Sequence, residues 1–115
     1  KRMVLRIYHN PRCSKSRATL ALLVERGIEP EIIDYLNNPP NAMMLKQIQA
    51  ALDCPAMDMV RTKEAPFKEN DLESATENEL IDAIAQFPIL LERPIVVNGS
   101  RAAIGRPPEN VLEIL

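Results

Sequence analysis

The residue with the clearest chemical potential is Cys13, which stands between a predicted strand and a predicted helix in the segment His9–Arg17, HNPRCSKSR. Unpaired backbone N–H groups and the helix dipole stabilise an anion at the start of a helix, so they lower the pKa of a thiol from its reference of about 8.5. Arg12, Lys15 and Arg17 add positive charge nearby. The position favours a reactive thiolate next to a cradle for an oxyanion. An inert thiol, partly buried at the helix start, is the alternative.

Spacing excludes several other thiol chemistries. Ser16 occupies the second position of a Cys-x-x-Cys dithiol, and Thr19 occupies the arginine position of a Cys-x5-Arg phosphatase loop. The glycines of a phosphate-binding Walker loop are absent. Cys54 lies far away in sequence and precedes a proline, and a disulfide needs Cα atoms within about 7 Å. We therefore expect Cys54 to be a buried or incidental thiol.

The elements that must position Cys13 come first in the chain. Val4–His9 is rich in β-forming residues and ends at Asn10-Pro11, which predicts a strand followed by a loop. Lys15–Arg26 has helical periodicity and closes on Gly27. Glu31–Leu36 reads as a second strand. A helix of about three turns between two strands predicts a right-handed βαβ unit with parallel strands.

The middle of the chain is predicted to be helical. An amphipathic helix is expected over Ala42–Leu52 and a short one within Cys54–Thr62, followed by a polar surface loop over Thr62–Ser74. Thr76-Glu77-Asn78-Glu79 fits a capping box that starts another helix, which Pro88 ends.

The last third predicts a β-hairpin and a terminal helix. Pro94–Val97 and Ala102–Ile104 flank Asn98-Gly99-Ser100, a tight turn. A helix starts at Pro107-Pro108 and runs through Leu115. The predicted fold is α/β and thioredoxin-like: a four-stranded mixed sheet flanked by helices, with a helical insertion between βαβ and ββα units. We expect one domain over residues 1–115, with the insertion at about residues 40–90.

Composition excludes other function classes. The 115 residues carry 14 basic and 16 acidic side chains, a net charge of −2, which argues against a broad nucleic-acid-binding surface. No apolar run approaches the roughly 18 residues that span a bilayer, and no signal-peptide pattern is present. We expect a cytoplasmic protein without membrane attachment. Two cysteines and one histidine give no zinc spacing, so no metal site is expected.

Three segments carry a family resemblance: His9-Asn10-Pro11-x-Cys13-x-x-Ser16-Arg17, Arg93-Pro94-Ile95-Val96-Val97 and Gly105-Arg106-Pro107-Pro108-Glu109. Together they resemble the glutaredoxin-dependent arsenate reductase family, a thioredoxin-fold family that also includes regulators of RNA polymerase. The resemblance implies that Cys13 is the nucleophile and that three arginines bind the oxyanion, namely Arg61, Arg93 and Arg106. Arginine presents a planar fork of donors suited to tetrahedral oxyanions.

Four further residues are expected to shape the site. Pro94 matches the cis-proline that faces the active cysteine in thioredoxin folds, and Arg17 closes the first motif. His9 matches a histidine near that cysteine, where it would stabilise the thiolate as an imidazolium or hydrogen-bond the loop. The Ser16 hydroxyl would face the thiolate or anion, or cap the helix.

The resemblance implies arsenate reduction with external thiols and no bound cofactor. Cys13 would attack arsenate, glutathione would attack the thiol–arsenate intermediate, and glutaredoxin would resolve the remaining disulfide. A second reading is a redox or transcription regulator that binds RNA polymerase, but such regulators commonly use the Cys-x-x-Cys switch that Ser16 precludes. A third is a thiol-handling protein without oxyanion turnover, which the three arginines disfavour.

Overall fold

The computed structural model describes residues 4–115, which form two compact units. The sheet unit contains the described residues up to Asn38 together with Arg93–Leu115, and the helical unit is Pro39–Glu92. The helical unit corresponds to the insertion expected at about residues 40–90. That the whole chain acts as one domain stays a prediction, and its first three residues lie outside the described part.

The sheet unit begins with the predicted βαβ arrangement. β1 spans Leu5–His9, α1 spans Ser14–Glu25 and β2 spans Glu31–Asp34. β1 and β2 are parallel, with His9 paired to Asp34 at their carboxyl ends. Gly27 has a φ of 76°, a left-handed conformation that favours glycine after the end of α1. The parallel pair therefore confirms the sequence prediction.

A hairpin completes the sheet. β3, Ile95–Asn98, is antiparallel both to β1 and to β4, Arg101–Ile104. Gly99 has a φ of 63° in the turn between β3 and β4. The strand order is β2-β1-β3-β4, so the sheet is the four-stranded, mixed, thioredoxin-like sheet that the sequence predicts.

One face of this sheet is covered by α1 and the C-terminal segment. The buried cluster there draws on β1, β3, α1 and the terminal segment: Ile7, Val96, Leu23, Val111 and Ile114. The terminal segment is a 3₁₀ helix over Pro108–Ile114, whereas a helix over 107–115 was expected. Three residues per turn place Val111 and Ile114 on one face, so the tighter helix buries both.

The helical unit opens with α2, Ala42–Leu52, with the bounds that the sequence predicts. The Asn41 side chain caps it by accepting a hydrogen bond from the Met44 N–H. A 3₁₀ turn over Ala56–Met59 follows, inside the predicted short helix.

The surface loop predicted over residues 62–74 is wrong in part. It contains α3, Ala65–Glu69, and a 3₁₀ turn over Leu72–Ser74. Pro66 lies in the first turn of α3, where a missing N–H costs nothing. Leu72 is buried and anchors the second turn. The polar composition of the segment concealed these two short elements.

α4 spans Glu77–Gln86 and begins with the predicted capping box. The Thr76 hydroxyl accepts from the Glu79 N–H, and the Glu79 carboxylate accepts from the Thr76 N–H. The hydrogen bond from the Thr76 N–H, and then one from the Thr76 side chain, lower the pKa of Glu79. A 3₁₀ turn over Pro88–Leu90 ends the helical segment. Among residues 4–115, no helix is long and apolar enough to cross a membrane.

Candidate active site

A tight loop between β1 and α1 holds Cys13 in place, and Asn10 organises it. The Asn10 side-chain oxygen accepts from the Arg12 N–H at 3.0 Å, and its carbonyl accepts from the Cys13 N–H at 3.0 Å. The Asn10 N–H donates to the buried hydroxyl of Ser16 at 3.3 Å. Cys13 is thereby fixed as the N-cap of α1, with extended backbone dihedrals.

The environment of the Cys13 sulfur favours the thiolate. Partial burial opposes ionisation, but the backbone N–H of Ser16, the Arg93 side chain and the backbone N–H of Lys15 stabilise the negative charge and lower the pKa of Cys13 to about 7. The two N–H groups belong to the first turn of α1, where helix donors lack intrahelical partners. A thiol with this pKa is substantially ionised near neutral pH.

Arg106 contacts the nucleophile directly. Its Nη2 lies 3.4 Å from the Cys13 Sγ, and its Nε donates to the Arg93 carbonyl at 2.7 Å. Arg106 is the second residue after the end of β4, directly after Gly105. The sheet topology thus brings together two residues that are 93 positions apart in sequence.

Arg93 is the second arginine at the thiol. Its guanidinium interacts with Cys13 and with the hydroxyl of Tyr35, and these interactions raise the pKa of Arg93 against the opposing effect of burial. Its Nε and Nη1 are buried. Within the sheet unit, Cys13, Arg93 and Arg106 therefore form one constellation, and binding of an oxyanion by the two arginines stays a prediction.

Pro94 is buried, and its peptide bond with Arg93 is cis, as expected. The Pro94 carbonyl accepts from the Gly105 N–H at 2.9 Å. A Cβ on Gly105 would lie 2.5 Å from Thr19 Oγ1 and 2.8 Å from Pro94 Cγ. Only glycine allows the main chain at position 105 to approach α1 and Pro94 this closely.

His9 is buried at the end of β1, with 7% of its surface exposed. Burial lowers its pKa, Asp34 opposes this effect and Arg17 adds to it. No group among residues 4–115 hydrogen-bonds its buried Nδ1. These surroundings favour the neutral imidazole over the imidazolium considered from the sequence, and site shaping by His9 stays a prediction.

Ser16 and Arg17 form hydrogen bonds with the loop between β1 and α1. The Ser16 hydroxyl accepts from the Asn10 N–H, while the Ser16 backbone N–H stabilises the thiolate. The exposed Arg17 donates from Nη1 to the Pro11 carbonyl at 2.9 Å, which ties the first turn of α1 to the preceding loop.

Arg61, the third predicted arginine, belongs to the helical unit. Its Nε lies 3.2 Å from a Glu64 carboxylate oxygen and its Nη1 lies 3.1 Å from a Glu92 carboxylate oxygen. It lines an open cavity of about 210 Å³ together with Val60, Thr62, Lys63 and Glu92. Its charge is therefore shared with two carboxylates, unlike the charges of the arginines that contact the thiol.

Cys54 has the opposite electrostatics from Cys13. Burial raises its pKa, and Asp58, Asp53 and Glu77 raise it further. Both cysteines are free thiols. The expectation that Cys54 is an incidental thiol fits this environment.

Three residues that support the constellation have no site role in the sequence analysis. The sequence pattern places Asn10 in the loop after the first strand and in the first motif, Tyr35 in the second strand, and Gly105 in the last motif. The signal for Gly105 was available, since the chain has only 3 glycines. The roles of Asn10 and Tyr35 depend on contacts that the local pattern does not reveal. Among residues 4–115, no group of His, Cys, Asp and Glu side chains could hold a metal ion.

Comparisons with known proteins show which family the chain belongs to. A model described as the ArsC family matches residues 8–114. An uncharacterized protein of Escherichia coli K12, YfgD, is 50% identical over 114 residues, which is 96% of each chain. An arsenate reductase of Haemophilus influenzae is 48% identical over 112 residues, 95% of this chain and 97% of that protein. The solved structure of an arsenate reductase from Vibrio cholerae is 47% identical, covers 100% of both chains and superposes with a TM-score of 0.95.

Proposed function

Because the chain belongs to the ArsC family, we propose that it is an arsenate reductase in which the Cys13 thiolate is the nucleophile. The observation that carries this proposal is the constellation at the start of α1. The Cys13 thiol has a pKa of about 7 and lies 3.4 Å from the Arg106 guanidinium. Arg93 interacts with the same sulfur. A nucleophile and cationic donors for its anionic substrate thus occupy one place.

The first step forms a bond between sulfur and arsenic. Arg93 and Arg106 donate to the oxygens of arsenate, which reduces the repulsion between the dianion and the thiolate. The Cys13 sulfur attacks arsenic, one arsenic–oxygen bond breaks, and that oxygen leaves as water after protonation. Arsenic is still in the +5 state in the resulting thiol–arsenate intermediate.

The second step transfers two electrons and needs an external thiol. A glutathione thiolate attacks the Cys13 sulfur, and the sulfur–arsenic bond breaks with its electron pair remaining on arsenic. The products are arsenite, with arsenic in the +3 state, and a mixed disulfide between Cys13 and glutathione. External reductants are required because Ser16 stands where a local resolving cysteine would lie.

Glutaredoxin closes the cycle in this proposal. Its thiolate attacks the glutathione sulfur of the mixed disulfide, and the Cys13 thiolate is the leaving group. A thiol with a low pKa leaves readily, so the N–H groups of α1 assist this step as well. The same chemistry favours the cytoplasm, where the glutathione pool keeps thiols reduced.

Arg61 is proposed as a third donor to arsenate, on the basis of the family resemblance. Its bonds to Glu64 and Glu92 hold the guanidinium in a defined orientation. They also partly neutralise its charge, so its contribution would come from directed hydrogen bonds more than from net charge.

The test is arsenate-dependent NADPH oxidation in the presence of glutathione, glutaredoxin and glutathione reductase. The wild-type protein should turn over arsenate, and Cys13→Ser should reduce the rate to background. Cys54→Ser is the matched control and should keep the wild-type rate within about twofold, because that thiol lies outside the constellation. A wild-type rate equal to that of Cys13→Ser would refute the proposal.

A further inference from the structure

We propose that Tyr35 is a positioning residue for this reaction, whose hydroxyl accepts a hydrogen bond from the Arg93 guanidinium and holds that side chain against Cys13. The inference rests on the proposed function, since it assigns Arg93 to the oxyanion. Tyr35 would act through Arg93 and would not itself contact arsenate.

The sheet topology places Tyr35 at the edge from which the Cys13 loop emerges. β1 and β2 are parallel, and His9 at the end of β1 is the register partner of Asp34 at the end of β2. Tyr35 is the next residue after Asp34, just as Asn10 is the next residue after His9. Both strands therefore deliver their following residues to the same edge of the sheet.

The contact between Tyr35 and Arg93 is important because both polar groups are buried. Tyr35 is 0% exposed, and its hydroxyl is buried, as are Nε and Nη1 of Arg93. Polar groups in such surroundings lose water and must be compensated within the protein. The hydroxyl of Tyr35 and the guanidinium of Arg93 interact with one another, and Arg93 also interacts with the thiol of Cys13.

Both the main chain and the side chain of Arg93 are therefore held in place. The Arg106 Nε donates to its backbone carbonyl at 2.7 Å, which fixes the main chain. The Tyr35 hydroxyl constrains the far end of a long side chain with several rotatable bonds. A guanidinium that is already oriented loses less freedom when it binds arsenate.

A phenol suits this task better than a carboxylate. It accepts a hydrogen bond without contributing a negative charge, so it orients Arg93 and leaves its positive charge available to the thiolate and the substrate. The carboxylates of Glu64 and Glu92, by contrast, orient Arg61 and partly neutralise it. The two arginines are therefore held by chemically different means.

The test compares Tyr35→Phe with Tyr8→Phe. Tyr35→Phe removes one oxygen and keeps the ring, and Tyr8 is a similarly buried tyrosine whose electrostatic neighbours are Arg6 and Glu31. We expect Tyr35→Phe to lower kcat/KM for arsenate about 10-fold, mostly through KM, as for loss of one hydrogen bond to a charged group. It should also move the midpoint of Cys13 alkylation to higher pH. Tyr8→Phe should change neither quantity.

A double-mutant cycle separates positioning from general destabilisation. In an Arg93→Met background, adding Tyr35→Phe should leave the alkylation midpoint unchanged, because the group through which Tyr35 acts is already absent. Equal shifts in both backgrounds, or a wild-type midpoint in Tyr35→Phe, would overturn the inference. If Tyr35→Phe does not fold, Tyr35→Met in the same two backgrounds replaces it with the same criteria. Alkylation requires no arsenate turnover, so the inference can fail while the proposed activity holds, or the reverse.

Discussion

The Arg106 Nη2 lies 3.4 Å from the Cys13 Sγ, while the Nε of the same guanidinium donates to the Arg93 carbonyl at 2.7 Å. One planar side chain therefore connects the nucleophile to the main chain that carries the second arginine. The fork of an arginine can serve two acceptors in fixed directions, whereas a lysine ammonium is a point charge on a flexible stem. The relationship makes Arg106 both a candidate ligand of the substrate and a brace for the site.

Arg106→Lys should be a strongly non-conservative substitution. It retains the charge but loses the simultaneous contacts with Cys13 and with the Arg93 carbonyl. We expect kcat/KM for arsenate to fall about 10- to 100-fold, since a hydrogen bond to a charged group contributes about 1.5–3 kcal/mol. Arsenate-dependent steady-state kinetics measure the effect.

The matched control for this substitution is Arg101→Lys. Arg101 donates to the Glu113 carbonyl at 2.6 Å and is an exposed residue of β4. It should keep kcat/KM within about twofold, as expected for a surface change away from the site. Equal losses in the two variants would contradict a specific role for Arg106.

The pH dependence of Cys13 alkylation should have its midpoint at about 7. The thiolate is the reactive form, so the rate should rise with pH through this value and level off above it. Arg93→Met removes a cation that stabilises the thiolate, and it should therefore move the midpoint to higher pH. Iodoacetamide labelling across pH 5–10 in a Cys54→Ser background measures Cys13 alone, and a midpoint at the ordinary thiol value of about 8.5 would exclude activation by the helix terminus.

Local patterns sufficed for most of the fold. Gly27 marks the end of α1, the Thr76 capping box marks the start of α4, and the Asn98-Gly99-Ser100 turn marks the hairpin, because each of these signals is read within a few residues. The short elements Ala65–Glu69 and Leu72–Ser74 were missed for the same reason. They are too short for a hydrophobic period to emerge from their polar sequence.

The sequence pattern identified some residues of the candidate site but not others. Cys13 could be identified from its position, because a helix start is a local feature with a direct electrostatic consequence. The two arginines at the thiol required a family resemblance, since neither the Arg93 nor the Arg106 context reveals which distant residue it meets. Tyr35 was missed because its role depends on a side-chain contact with Arg93, and the two residues flank different strands. Sequence pattern alone cannot specify such a contact.

Arg61→Ala should separate substrate binding from thiol activation. Arg61 is proposed to donate to arsenate, but it is not among the groups that lower the pKa of Cys13. We expect KM for arsenate to rise about 10-fold, the scale of one lost hydrogen bond to a charged group, with an unchanged alkylation midpoint. Lys63→Ala, which removes an exposed cation from the same cavity, is the control and should leave KM near the wild-type value. An unchanged KM in Arg61→Ala would remove Arg61 from the proposed oxyanion site.

Gly105→Ala should test the close packing behind the constellation. The added Cβ would lie 2.5 Å from Thr19 Oγ1 and 2.8 Å from Pro94 Cγ, so at least one of these neighbours must move. We expect the free energy of unfolding to fall by about 1–3 kcal/mol, the usual cost of overpacking, as measured by urea denaturation. Activity should fall as well, because Arg106 follows Gly105 directly. Thr19→Ala removes the nearest obstructing atom, so the double variant Gly105→Ala/Thr19→Ala should be destabilised by less than the sum of the two single variants. Strict additivity would show that contact with Thr19 is not the source of the loss.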